Sequence, residues 1–245
     1  LNLKREKKNQ MIKEYVQDIR QRQPNVGGKK LHQHLKDDGI VVGRDRLFEL
    51  LRFWDMLIHR KKRYEKTTNS NHLFKKHPNL IKDQKPTQSH EVYVSDITYI
   101  KTLEGFWYLF LITDMYSRKI VGYSFKNNLT ADGALDALNM ALKQWPGNTS
   151  LIHHSDRGIQ YCCHDYINKL NDANVQISMT EDDHVYENAL AERVNGILKN
   201  EFFLGNTIES SVLAKRLIDQ SINIYNNERL HMALGYKTPN SIHFN

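Results

Sequence analysis

The sequence has few of the residues that cross-link or break a chain. Among its 245 residues are two cysteines, five prolines and twelve glycines. The cysteines, Cys162 and Cys163, are adjacent, and Cα atoms about 3.8 Å apart are too close for an unstrained disulfide. So little proline and glycine excludes a collagen-like or low-complexity chain. We therefore expect one or two globular domains in a reducing compartment.

Long apolar runs are also missing. The longest one, residues 106–113, is far shorter than the roughly 20 residues that cross a bilayer. The start is charged, lacks the apolar stretch of a signal peptide and does not begin with Met. We expect no membrane partner, a cytoplasmic location and a chain that is a fragment or a processed product.

Charge is distributed unevenly along the chain. Residues 1–90 carry 22 Lys and Arg against 10 Asp and Glu, whereas residues 91–245 carry 13 against 18. This difference in charge between the two parts indicates a basic arm that binds a polyanion, joined to a domain that holds acidic groups for another purpose.

The basic arm reads as helical. Apolar residues three or four apart predict a helix over residues 4–23, ended by Pro24. Two short helices around Gly39 and Gly43 fit a helix-turn-helix at about residues 29–57, within a helical region 1–59. Arg44, Arg46 and Arg52 on the second short helix are candidate DNA contacts, although they could merely solubilise it.

A basic linker is predicted over residues 60–88. It contains Lys61, Lys62 and Arg63, shows little apolar periodicity, and could follow a phosphate backbone rather than pack into a core. These three residues are candidate DNA contacts.

Residues 89–245 read as an α/β domain. Val, Ile, Tyr and Phe enrichment predicts three antiparallel strands at 91–100, 107–114 and 119–125. Helices at 130–145, 163–173, 188–203 and 210–226 then alternate with strands at 150–154 and 176–179. Such an order predicts a mixed sheet flanked by helices.

Three carboxylates occupy places where a lone charge is costly. Asp96 lies inside an apolar strand, and Asp156 directly follows another, where α/β folds place their ligands. Glu192 shares a helix face with Asn195 and Lys199. Three oxygen donors suit Mg²⁺, and two such ions clamp the attacking and leaving oxygens in phosphoryl transfer. The residues thus favour a metal-assisted nucleic-acid phosphoryltransferase.

The acidic residues also lie in recognisable motifs. VSDITYI at 94–100, HSDRGIQY at 154–161 and NALAE at 188–192 resemble the acidic blocks of DDE transposases with a retroviral-integrase-like core, of the IS-three family of insertion sequences. Thirty-five residues separate Asp156 from Glu192, the separation typical of that family. YNNERLH at 225–231 and LGYKTP at 234–239 resemble its C-terminal signature. The likeness extends from about Val26 to Pro239.

The resemblance implies a ribonuclease H-like fold with Asp96, Asp156 and Glu192 as catalytic metal ligands for two Mg²⁺ ions, with Mn²⁺ as a substitute. It implies cleavage by water at the element's ends and attack of the freed 3′-hydroxyl on another strand. Lys199 matches a basic position that approaches the DNA terminus. Asn195 is a further candidate DNA contact, and His154 could either contact a phosphate as a DNA contact or orient a metal-bound water. Glu187, where Asp is commoner, and residues 182–184 depart from the pattern.

The implied partners are the double-stranded terminal inverted repeats and the target DNA, in the bacterial nucleoid. A homodimer or larger assembly is expected because two ends must be held together. In this family the core is often joined to an upstream segment by frameshifting.

Other interpretations stay open at this stage. The chain could be a non-catalytic, sequence-specific repressor on an inert core, or a structure-selective nuclease that cuts without strand transfer. Asp114 could be a fourth ligand or could bond its own turn. Asn226, Arg229 and His231 could bind DNA or pack across a partner subunit.

Overall fold

The N-terminal unit of the protein is a three-helix bundle. The structure, a computed structural model, describes residues 2–58, 74–82, 85–181 and 188–244. Helices α1 (Asn2–Arg22), α2 (Gly28–Asp37) and α3 (Arg44–Phe53) enclose one apolar cluster. Gly39, with φ of +74°, follows the end of α2 in the left-handed conformation that glycine tolerates best. The predicted pair of short helices is therefore present. The cluster is formed by Ile12, Val16, Ile19, Val26, Leu31, Leu35, Leu47, Leu50 and Leu51.

A five-stranded mixed sheet forms the centre of the second unit. Its strands are β1 (Val92–Thr102), β2 (Gly105–Asp114), β3 (Ile120–Lys126), β4 (Ile152–Ser155) and β5 (Gln176–Met179), in the order β3-β2-β1-β4-β5. β1, β2 and β3 pair antiparallel, whereas β4 pairs parallel with β1 and β5 parallel with β4. The predicted α/β class and mixed sheet are confirmed.

Helices cover both faces of the sheet. Helices α4 (Ala131–Gln144) and α6 (His164–Asp172) pack on one face, and α7 (Ala189–Glu201) and α8 (Ser211–Asn227) pack on the other. A short α9 (Pro239–His243) follows near the C-terminus. The helix predicted at 163–173 begins only at His164. A separate helix α5 (Ile159–Cys162) precedes it because Cys163 is extended, with ψ of 153°.

Part of the predicted linker packs into the core. Ile81 is buried in a cluster with Val92, Val94 and Ile152, and the Leu80 N–H donates to Ser178 Oγ at 2.9 Å. The stretch around residues 78–81 therefore lies against the unit that contains the sheet rather than free along a polyanion. Within the described ranges, no helix combines the length and apolar character needed to cross a bilayer.

Candidate active site

Asp96 and Asp156 lie at matching positions of two neighbouring parallel strands. Val94 of β1 pairs with His154 of β4, and each aspartate follows its paired residue by two positions. Because parallel strands run in the same direction, both carboxylates lie at the same edge, where β4 has just ended. Local strand patterning therefore accounts for the approach of two residues 60 positions apart in the sequence.

Backbone and side-chain donors hold the two aspartates. Asp96 Oδ1 accepts the Ile97 N–H at 2.9 Å, and Asp96 Oδ2 accepts Asn195 Nδ2–H at 2.7 Å. Asp156 Oδ1 accepts the Gly158 N–H at 3.0 Å. These bonds favour the ionised carboxylates and fix the direction in which each points.

Glu192 lies within electrostatic range of both aspartates. It lies in the first turn of α7, with much but not all of its side chain exposed to solvent. The helix packs on the sheet by Val194 and Leu198, both 1% exposed. An acid in the first turn of a helix interacts favourably with the helix dipole. The packing of α7 on the sheet thus accounts for the electrostatic interaction of Glu192 with the aspartates.

The three carboxylates interact electrostatically. Burial raises the pKa of Asp96 to about 7, and the charges of Asp156 and Glu192 add to this rise, against the hydrogen bonds from Asn195 and Ile97. Partial burial and then the charge of Asp156 raise the pKa of Glu192. Raised pKa values at a group of acids mark a place where a cation would relieve repulsion.

The donor chemistry at this edge fits a hard divalent cation. Carboxylate oxygens are the ligands that Mg²⁺ prefers. In the part of the chain that the structure describes, however, no three His, Cys, Asp or Glu side chains lie together in an arrangement that could hold a metal ion. Beside Asp96, the buried Asn195 Oδ1 has no hydrogen-bond partner among the described residues. It is a further oxygen close to the acids.

The predicted arginines lie on the exposed side of α3. Arg44 pairs with Asp45 at 2.8 Å and Arg46 with Glu49 at 3.0 Å, and Arg52 is exposed. They lie on the helical unit rather than at the acidic edge. Lys199 of α7 lies with Nζ 3.9 Å from the centre of the Tyr99 ring. Lys61, Lys62 and Arg63 lie outside the described residues, as do Glu187 and residues 182–184.

Two candidate DNA contacts are buried. His154 is 0% exposed and hydrogen-bonds through Nδ1 with Ser178 Oγ at 2.8 Å. Asn195 is 6% exposed and points its amide at Asp96. Direct contact of either side chain with a phosphate would require it to leave its place in the core. Their roles as DNA contacts stay predictions, and in this structure Asn195 contacts Asp96.

Asp114 and Arg229 have structural partners. Asp114 Oδ1 accepts hydrogen bonds from the N–H and the hydroxyl of Ser117, and Asp114 Oδ2 accepts the His90 N–H. The turn interpretation of Asp114 is the one observed. Arg229 forms a two-pronged bond with Glu201, an intrachain contact that neither sequence interpretation anticipated.

Sequence reasoning also missed Asn188. It directly precedes α7 and donates Nδ2–H to the Ser95 carbonyl at 2.8 Å. This bond joins the start of the Glu192 helix to the residue before Asp96. The only signal was the motif NALAE, where the asparagine stands as an N-terminal flanking residue.

Two family models match this chain, and both are described as the same domain. The family described as Integrase core domain matches residues 86–184, and a second family with the same description matches residues 173–239. The chain is 38% identical over 226 residues to the "Insertion element IS600 uncharacterized 31 kDa protein" of Shigella sonnei, covering 91% of this chain and 83% of that one.

Two further relatives are named transposases. The transposase for insertion sequence element IS904 of Lactococcus lactis is 30% identical over 87% of this chain and 85% of its own. Transposase InsF for insertion sequence IS3A of Escherichia coli is 35% identical over 61% of this chain and 52% of its own.

Solved structures show a similar fold at low identity. A chain of the simian T-cell lymphotropic virus intasome, in complex with a PP2A regulatory subunit, has a TM-score of 0.57 at 16% identity, covering 91% of this chain and 72% of that one. The HTLV-2 integrase catalytic core domain in complex with magnesium has a TM-score of 0.52 at 19% identity, covering 65% and 99%.

Proposed function

Because the chain belongs to the insertion-sequence transposases that carry an integrase core domain, we propose that it cuts DNA at the ends of its element and joins the freed 3′ ends to target DNA. Membership confirms DNA transposition as the function, and the solved structures confirm the expected ribonuclease H-like fold. The proposal concerns the chemistry and the residues that perform it.

One observation supports the assignment of the acidic site more than any other. Asp156 contributes to the raised pKa of both Asp96 and Glu192, although these lie on a strand and on a helix far apart in sequence. A fold that brings three acids within electrostatic reach, at a cost in charge repulsion, is most simply explained by a bound cation.

We assign metal binding to Asp96, Asp156 and Glu192, with two Mg²⁺ ions and Mn²⁺ as a substitute. The magnesium complex of the HTLV-2 integrase core supports this choice of ion. When bound, magnesium stabilises the charge on the attacking and leaving oxygens in phosphoryl transfer. Binding requires the carboxylates to rearrange from the positions described above.

The remaining residues position the site and the DNA. Asn195 orients Asp96, and the Gly158 N–H orients Asp156. Lys199, on the same helix as Glu192, contacts the DNA near the reacting end. Arg44, Arg46 and Arg52 hold the terminal repeat through α3. The segment with Lys61, Lys62 and Arg63 follows the phosphate backbone between the two units.

The partners in this proposal are the terminal inverted repeats, the target DNA and further copies of the chain, acting on nucleoid DNA in the bacterial cytoplasm. Two ends must be joined in one reaction, which favours a dimer or larger assembly. The HTLV-2 integrase catalytic core domain occurs in a dimeric and a trimeric form, which supports this expectation.

The test uses a labelled duplex that carries an end of the element encoding this chain, with Mg²⁺ and a second, unlabelled duplex. We expect nicking at the end and then strand transfer, both lost in Asp96→Asn, Asp156→Asn and Glu192→Gln. Asp165→Asn, an exposed acid on α6, is the matched control and should retain activity. Activity that survives in the three variants would overturn the assignment. Nicking without strand transfer would indicate a nuclease.

A further inference from the structure

Lys30 of the helix-turn-helix unit is bound to the catalytic unit rather than exposed to DNA. It lies on α2 and is 8% exposed. Its Nζ lies 2.8 Å from Glu201 Oε2 and 3.0 Å from Glu201 Oε1. Glu201 is the last residue of α7, and it lies 171 positions away in sequence. The bond thus joins the DNA-binding unit to the helix that carries Glu192.

Glu201 has a second cationic partner. Arg229 donates through Nε to Glu201 Oε2 at 2.8 Å and through Nη2 to Glu201 Oε1 at 2.7 Å. Arg229 is 5% exposed, and its Nη1 lies 2.9 Å from His231 Nε2. The C-terminal signature therefore holds the Glu201 carboxylate in one orientation, with both oxygens available to Lys30.

Backbone bonds reinforce the same contact. The Asn25 N–H donates to the Glu201 carbonyl at 3.1 Å, and Asn25 Nδ2–H donates to the Asn200 carbonyl at 2.7 Å. The last carbonyls of a helix lack partners within it. At the end of α7, donors from the segment between α1 and α2 bind these carbonyls, so hydrogen bonds connect the two units.

The contact leaves the predicted DNA-binding face free. Arg44 and Arg52 of α3 are exposed while α2 is docked. Glu192 stands nine positions before Glu201 on α7, about 13 Å along a helix axis. DNA held by α3 is therefore linked to the acidic site through the contact of α2 with the end of α7, the helix that carries Glu192.

A buried ion pair adds little to the stability of a protein, because the free energy needed to take the two charges out of water offsets most of their attraction. Its best-attested use is to specify one arrangement among several. We propose that Lys30 is a positioning residue: its pair with Glu201 holds the helix-turn-helix unit in one register to the acidic site, so that the bound DNA end is cut at one position. This inference rests on the proposed function.

The experiment compares Lys30→Ala, Lys30→Arg and, as matched control, Lys36→Ala in the full-length chain. Lys36 is an exposed lysine on the same helix. The substrate is the labelled terminal duplex, and the readouts are its dissociation constant, the cutting rate and the distribution of cut positions. Lys30→Ala should bind DNA within about twofold of the unaltered protein but cut at the correct position about tenfold more slowly or at scattered positions. Lys30→Arg and Lys36→Ala should behave like the unaltered protein.

Hydrogen exchange at the Asn25 amide tests docking without DNA. This amide should exchange faster in Lys30→Ala, because docking protects it. Three results in Lys30→Ala would each overturn the inference. The first is unchanged exchange at Asn25, and the second is an unchanged cutting rate and cut position. The third is a loss of DNA binding as large as the loss of cutting. If the unaltered protein cuts no terminal DNA, the proposed function fails instead, and Asn25 exchange still decides whether Lys30 holds the units together.

Discussion

Asn195 Nδ2 lies 2.7 Å from Asp96 Oδ2. This bond joins α7 to β1 at Asp96, which is less exposed than Glu192. Glu192 stands on the same helix less than one turn earlier. The position of one acid is thus coupled to the position of another through a single amide, which makes Asn195 a sensitive place to test the site.

Substitution of Asn195 should shift the pH dependence of cutting. The amide stabilises the ionised form of Asp96 and so lowers its pKa. In Asn195→Ala that pKa should rise, because the donor is lost. We expect the acid limb of the pH–rate profile to move to higher pH, with about a tenfold loss of rate at pH 7 that shrinks at higher pH. Asn200→Ala, exposed on the same helix, should leave the limb in place. An unmoved limb in Asn195→Ala would contradict the assignment.

Asp96 should make the metal-free protein less stable as the pH rises. Its pKa is about 7 in the folded protein, against 3.8 as its ordinary value. Between these values the folded state binds more protons than the unfolded state, so stability falls with rising pH. Asp96→Asn removes this loss and should raise the free energy of unfolding at pH 8 by on the order of 2 kcal/mol, with no gain below pH 4.

Thermal unfolding in EDTA measures the stability of Asp96→Asn without metal, and thermal unfolding in Mg²⁺ measures how much the ion stabilises it. Mg²⁺ should raise the melting temperature of the unaltered protein more than that of Asp96→Asn, since a ligand stabilises the state that binds it. An equal rise in the two proteins would show that Asp96 does not bind the ion.

The α3 arginines should contribute to DNA binding through phosphate charge. Each of Arg44→Ala and Arg52→Ala should reduce the slope of log K against log salt by about one if the residue contacts a phosphate. Arg46→Ala should behave in the same way, because its pair with Glu49 at 3.0 Å must be exchanged just as the pair of Arg44 with Asp45 at 2.8 Å must be. Filter binding across a salt series gives the slopes. An identical slope in all variants would remove α3 from the DNA surface.

Two glycines should respond in opposite ways to alanine. At Gly122 on β3 an added Cβ would lie 2.2 Å from the Ala137 carbonyl oxygen of α4, so Gly122→Ala should destabilise the protein by about 3 kcal/mol or more. At Gly196 on α7 an added Cβ meets nothing within 4 Å, and Gly196→Ala should stabilise by up to about 1 kcal/mol. Urea unfolding distinguishes them. A mild loss at Gly122 would show that α4 can move away from the sheet.

The parts of the fold that were predictable depend on local patterns. β5 has the predicted bounds, Gln176–Met179, because its alternation of polar and apolar residues between two turns is typical of a strand. The break at Cys163 was not predictable, since neither glycine nor proline marks it. Only the packing of α5 and α6 as separate helices requires the extended conformation there.

The site shows the same division. Asp96 and Asp156 were found because a charge within or just after an apolar strand is costly, and their roles as ligands stay predictions. Asn195 was placed with Glu192 by helical periodicity, yet it is buried. Spacing alone cannot distinguish a polar residue that faces a partly buried acid from one that faces water. The pairing of Lys30 with Glu201 has no local signature at all.

The two carboxylates at the ends of α7 project from opposite sides of the helix, since nine residues correspond to two and a half turns. Inserting or deleting one amino acid between Glu192 and Glu201 would rotate one side chain against the other by about 100°. Exposed side chains in this segment can therefore vary among copies of the element. Its length cannot change, because a change would misalign either Glu192 with the acidic site or Glu201 with Lys30.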